Sequence, residues 1–198
     1  MTKLFFQGAS GTLEGRLTQG NHDAGGALCC HPHPLYGGNL DDLVVAELAA
    51  AVSPYCKLCL RFNFRGVGES EGLHDAGKGE IDDVISAASW LEQEGAPVST
   101  LCGYSFGANM ALAAAATIAV QTLILIAPPL GEAKVLTERQ QQAEIVVVVG
   151  DQDSYMDIDV LIRTFDQKNI RVIAGADHFF SAHRQRLAHL LKETMNGA

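Results

Sequence analysis

The 198-residue chain is short of positive charge: 14 lysines and arginines stand against 23 aspartates and glutamates, for a formal net charge of −9. With no basic stripe to neutralise phosphates, neither nucleic acid nor an anionic membrane surface is an expected partner. Long apolar runs are also missing. The opening residues, MTKLFFQGASG, hold an apolar run of only three, and no stretch approaches the roughly 18–20 apolar residues that cross a bilayer. The expectation is a soluble, cytoplasmic protein with no membrane insertion. Cysteines are few and odd in number, at five. Cys29 and Cys30 are adjacent in an apolar run, where neighbouring side chains of a strand point to opposite faces, so they read as small core residues in a reducing compartment. Cys56 and Cys59 have C-x-x-C spacing, but LRFNF after them reads as strand rather than as the helix a redox pair would cap. No second ligand pair completes a zinc site, so these two also read as structural.

What is present is a globular balance, 47% apolar and 19% charged residues, suited to one domain over residues 1–198. KLFFQ and LEGRLTQ, joined by GASG, read as a β-hairpin. Strand-like and helix-like segments then alternate: GALCCHP, a helix carrying Leu40, Leu43, Val44, Leu48, Ala51 and Val52 on one face, KLCLRFNF, and a helix over residues 80–93. STLCG and a helix opened by SFGANMALAAAA follow. QTLILIA and EIVVVVG are continuous apolar runs of the kind buried on both faces in a parallel sheet. Between them EAKVLTERQQQA reads as one helix. A helix near residues 157–166, the strand IRVIAG and a last helix beginning near Phe179 end the chain. The pattern predicts an α/β fold: a doubly wound, mostly parallel sheet with helices on both faces and an N-terminal hairpin.

Reactive groups of such sheets collect in loops at the C-terminal strand ends. In LCGYSFG, residues 101–107, Ser105 sits in G-x-S-x-G between an apolar strand and a small-residue helix. That pattern holds a serine hydroxyl above the sheet on a strained turn, with glycines where a Cβ would strike backbone. A serine nucleophile needs a base, and the base needs an orienting acid. Asp153, in VVVVGDQD, and His178, in GADHFF, follow at the ends of two later strands. Asp151 is the fallback for the acid, and Asp177, adjoining His178, points away from it by the i, i+1 rule. Acyl transfer also needs N–H donors at the oxyanion. Phe106 supplies one at the helix start. The second comes from HPHPLYGG, where Pro32 and Pro34 have no N–H and Leu35 and Tyr36 remain. His31 and His33 lack a third ligand, so no metal is expected and they read as loop-positioning residues. Arg65 and Glu71 are expected to pair within RGVGESEG.

Together HPHPLYGG, LRFNFRGVGESEG, GEIDD, GYSFGAN, GDQD and GADHFF resemble the small, cap-less α/β-hydrolases related to dienelactone hydrolase, from about Ala27 to the last helix. The resemblance implies Ser105 as nucleophile, His178 as base and Asp153 as acid, with part of the oxyanion hole after CCHPHP. It implies no cofactor. Dienelactone hydrolase itself uses a cysteine nucleophile, so lactone hydrolysis does not carry over to Ser105. The expected reaction is esterase-like cleavage of a small-molecule acyl substrate, with Tyr36, Tyr104, Phe106, Tyr155 and Phe179 lining an aromatic pocket. The alternatives are acyl transfer by the same triad, or a non-catalytic binding or scaffold module on the same fold.

Overall fold

The computed structural model describes residues 1–197. A hairpin, β1 (Thr2–Gly8) and β2 (Gly11–Gln19), opens the chain, followed by β3 (Gly26–Cys30), α1 (Leu43–Val52), β4 (Leu58–Phe62) and α2 (Lys78–Gln93). Next come β5 (Val98–Tyr104), α3 (Phe106–Ala114), β6 (Thr122–Ile126), the short α4 (Glu138–Gln141) and β7 (Glu144–Gly150). Helix α5 (Ile158–Thr164), strand β8 (Ile170–Ile173) and helix α6 (Arg184–Gly197) complete it. The strands form one sheet in the order β1-β2-β4-β3-β5-β6-β7-β8. β2 is antiparallel to β1 and to β4, and the other pairings are parallel.

The apolar runs are continuous because both faces of the central strands are covered. Alternate residues part cleanly: Leu28, Cys30, Leu101, Leu123 and Val147 pack under α2 and α3, while Ala27, Cys29, Cys102, Ile124 and Val146 pack under α1 and α6. Cys29 and Cys30 thus face opposite sides, and all five cysteines are buried and unpaired. Contact with Cys59 and burial push the Cys56 thiol well up, away from the reactive thiolate.

Three boundaries differ from the sequence pattern. The helix expected over EAKVLTERQQQA is confined to α4, because Thr137 caps it, accepting the Gln140 N–H at 3.3 Å, while the Lys134 N–H is drawn to Thr164 Oγ1 on α5 at 3.0 Å. The last helix starts at Arg184, not near Phe179, because Phe180 adopts φ +52° and breaks any helix through it. Leu40 lies before α1, whose first turn is set by the Asp42 cap. No lid is inserted after β6, where residues 127–143 carry only α4.

Parallel pairing aligns the C-terminal strand ends. Cys30 lies beside Gly103, Tyr104 beside Ile126, and Gly150 beside Ile173. The loops after β3, β5, β7 and β8 therefore leave the sheet on one edge.

Candidate active site

The turn from β5 into α3 is held from several sides. Ser105 has φ +53° and ψ −120°, a conformation costly for any residue with a Cβ. Its N–H donates to the Ile126 carbonyl at 2.8 Å, and its own carbonyl accepts the Ala108 N–H at 2.9 Å. The flanking glycines are needed for close approach. A Cβ on Gly103 would lie 2.2 Å from the Gly107 carbonyl oxygen, and one on Gly107 would lie 2.4 Å from the carbonyl oxygens of Cys30 and His31. The strain at Ser105 survives because packing and backbone hydrogen bonds leave the turn no alternative.

The turn lifts the Ser105 hydroxyl to 2.9 Å from His178 Nε2. On the other side of the ring, His178 Nδ1 lies 2.7 Å from Asp153 Oδ2, and the Asp153 side chain is fully buried. Asp153 Oδ1 in turn accepts the Tyr155 N–H at 2.8 Å. The Tyr104 hydroxyl donates to the His178 carbonyl at 3.0 Å, tying the histidine loop to the strand that carries Ser105. Burial raises the pKa of the Tyr104 phenol and keeps it a donor. The other two acids are occupied elsewhere: Asp151 Oδ1 accepts the Gly175 N–H at 2.7 Å, bridging the loops after β7 and β8, and Asp177 Oδ1 accepts the Ser181 N–H at 3.3 Å within its own turn.

The hydroxyl opens into a cavity of about 730 Å³ whose wall includes Tyr36, Tyr104, Phe106, Tyr155 and Phe179, the five aromatics expected there. Leu35 is exposed and lies outside it. A metal ion is not implied by the two histidines of the loop, whose rings serve the backbone. His31 is buried, donates from Nδ1 to the Pro32 carbonyl at 2.6 Å and accepts the Phe64 N–H on Nε2 at 3.0 Å. Burial holds its pKa down to about 4, so it is a neutral clamp between the loops after β3 and β4. His33 caps the 3-10 turn Pro34–Tyr36.

That turn commits both amides expected from this loop at the oxyanion. The Leu35 N–H donates to His33 Nδ1 at 3.2 Å, and the Tyr36 N–H donates to the His33 carbonyl at 3.1 Å. Proline at the start of a tight turn folds both amides back onto His33, so neither is free. Four amides of cavity-lining residues take no acceptor among the described residues, those of His33, Phe106, His178 and Phe179; of these, Phe106 follows Ser105 as the first residue of α3, and His33 alone lies in the loop after β3. Arg65 and Glu71 do not pair either. Arg65 forms a bidentate pair with buried Asp83, at 2.7 and 3.0 Å, and Glu71 Oε2 accepts the Thr12 N–H at 2.6 Å. Gly66 at φ +74° turns the loop away after Arg65, carrying Glu71 to the hairpin.

A family model described as the alpha/beta hydrolase family matches residues 27–147, from β3 through most of β7. The chain belongs to the alpha/beta hydrolase family. Among solved structures, an alpha-beta serine hydrolase homologue from Coxiella burnetii is 32% identical, with 98% of this chain and 96% of that one aligned at a TM-score of 0.82. An a/b serine hydrolase without lid from Xanthomonas campestris is 31% identical, covering 97% and 92% of the two chains at a TM-score of 0.85. A Rickettsia prowazekii protein described as uncharacterized is 32% identical over 201 residues, 91% of this chain and 82% of that protein.

For an alpha/beta hydrolase the cavity wall has two features that the motifs do not flag. The His33 N–H is one, a non-proline amide that stands in HPHPLYGG beside those of Leu35 and Tyr36. Asp42 is the other. Its only sequence signal is its place just before the apolar run LVVAELAAAV, where an aspartate reads as a helix cap.

Proposed function

We propose that the protein is a serine hydrolase that cleaves carboxylic esters of small molecules through Ser105, His178 and Asp153. The observation that carries this reading is the unbroken contact chain from the Ser105 hydroxyl through both ring nitrogens of His178 to a buried carboxylate, opening into an accessible cavity. His178 Nε2 takes the hydroxyl proton as Ser105 Oγ attacks the acyl carbon, and Asp153 fixes the ring with Nδ1 as donor and stabilises the imidazolium. The developing oxyanion lies between the N–H groups of Phe106 and His33, and the alkoxide leaves with the proton from Nε2. Water, deprotonated by His178, then attacks the acyl-enzyme and restores Ser105. The absence of a lid exposes the acyl-enzyme to solvent, which favours hydrolysis over transfer.

No helix among the described residues is long and apolar enough to cross a membrane. Five unpaired cysteines suit a reducing compartment, and a cytoplasmic location belongs to the same reading. Purified protein is expected to hydrolyse p-nitrophenyl esters and to be labelled by a fluorophosphonate at Ser105. Both activities should vanish in Ser105→Ala. Full turnover by that variant would rule the mechanism out.

A further inference from the structure

The cavity wall carries charge of one sign. Asp42 caps α1 and lines the cavity. Its Oδ1 accepts the N–H groups of Val44 at 2.8 Å and Val45 at 3.2 Å, which fixes the side chain and leaves Oδ2 without a protein donor among the described residues. Burial raises its pKa, outweighing the opposite pull of these two N–H groups at the helix N-terminus. No lysine or arginine lines the cavity among the described residues. Of the two wall histidines, His178 is engaged with Ser105 and Asp153, and His33 favours its neutral form because burial and then His74 lower its pKa. The rings of Tyr36, Tyr104, Tyr155 and Phe179 add π faces, which attract cations and repel anions.

We propose that Asp42 sets the charge selectivity of this site, and that its substrates are esters whose acyl group carries an amine or quaternary ammonium. Monoesters of dicarboxylic acids are disfavoured. The inference rests on the serine hydrolase reading and names the substrate class for it. A single charge acting across a partly solvated cavity changes relative rates by about tenfold, so one carboxylate suffices for a measurable preference.

The test compares kcat/KM for two p-nitrophenyl esters of equal reach, the 5-(trimethylammonio)pentanoate and the adipate monoester, at low ionic strength. The cationic ester is expected to be favoured by about tenfold or more, and the ratio should shrink in roughly 0.5 M salt. Asp42→Asn keeps a capping side chain and is expected to pull the ratio down about tenfold. Asp41→Asn, which removes an exposed carboxylate paired with Arg16, should leave it unchanged. A wild-type ratio near one, or a ratio indifferent to Asp42→Asn in a variant with wild-type Tm, overturns the proposal. If Asp42→Asn does not fold, the salt dependence of the wild-type ratio decides. Retained turnover in Ser105→Ala would sink the underlying mechanism, whereas its loss together with a flat charge ratio sinks the charge inference alone.

Discussion

Two loops frame the same hydroxyl and owe their shapes to different physics. The Ser105 turn is locked by close backbone contact: the glycines at 103 and 107 leave no room for a Cβ, and the Ser105 N–H and carbonyl are both committed. Its free amide, at Phe106, is free for a general reason, because the first N–H groups of any helix lack intrahelical acceptors. The loop after β3 is shaped by side chains and prolines. His31 clamps it from below, His33 caps it, and Pro34 winds it into a 3-10 turn that consumes the amides of Leu35, Tyr36, Gly37 and Gly38. Whether an amide can serve an oxyanion thus depends on what the local turn does with it, and that differs between the loops even though both line one cavity.

The largest expected effect separates the two acids of the loop after β7. Asp153→Asn should lower kcat by about 10⁴-fold, since the amide would hold His178 in the wrong tautomer. Asp151→Asn should cost less than about tenfold, because Asp151 braces the Gly175 amide and touches neither His178 nor Ser105. Steady-state kinetics on a p-nitrophenyl ester read both, and equal losses would mean that the two loops act as one unit rather than as acid and brace.

Next in size is a test of the loop after β3. His33 has φ −57°, within the range proline accepts, so His33→Pro removes one N–H with little backbone change. A kcat loss of roughly 10²–10³-fold is expected if that amide meets the oxyanion. His33→Asn keeps the amide and a capping oxygen, and should stay within about threefold of wild type. If both variants lose activity equally, the ring rather than the amide matters.

The fold was largely legible because its signals are local. Continuous apolar runs such as LILI and VVVV can be buried only between two helix layers, and the hairpin and the Ser105 turn carry their glycines in place. What escaped depends on contacts between distant residues. Phe180 at φ +52° delays α6 although nothing in HFFSAH marks a left-handed residue. Arg65 reaches Asp83 on α2 rather than Glu71 six residues away, because the loop turns at Gly66. For Ser105, Asp153 and His178, order and strand-end positions were readable, whereas the committed amides of Leu35 and Tyr36 were not. A proline pattern says which amides are missing, not which of the rest are already bonded.

The clamp under the second loop gives a pH signature. His31 is held neutral in the fold, with its pKa lowered by burial to about 4, against about 6.5 in the unfolded chain. Between those values the unfolded state binds more protons, so stability is fully present above about pH 6.5 and falls as the pH drops toward 4. The shift corresponds to at most about 3 kcal/mol. Urea unfolding across that range should show the slope, and His31→Gln should flatten it even if it lowers stability overall. An unchanged slope would assign the acid sensitivity to other groups.

The smallest effect sharpens the contrast most. Leu35→Pro deletes an amide that serves only His33 Nδ1, at 3.2 Å, the longer end for a hydrogen bond. It occupies the second position of a turn that already begins with proline, and its side chain is exposed and outside the cavity. Removing it should change kcat by less than about threefold, while stability falls by roughly 1–3 kcal/mol, because the cap is lost and a proline at 35 disfavours the helical backbone of Pro34. Once His33→Asn has accounted for the ring, His33→Pro and Leu35→Pro each report on one amide, two residues apart on one loop, and should differ in rate by about 10²-fold. Should Leu35→Pro prove the more damaging for kcat, the 3-10 turn must open when substrate binds, and the donor would be the amide that the resting loop keeps folded away.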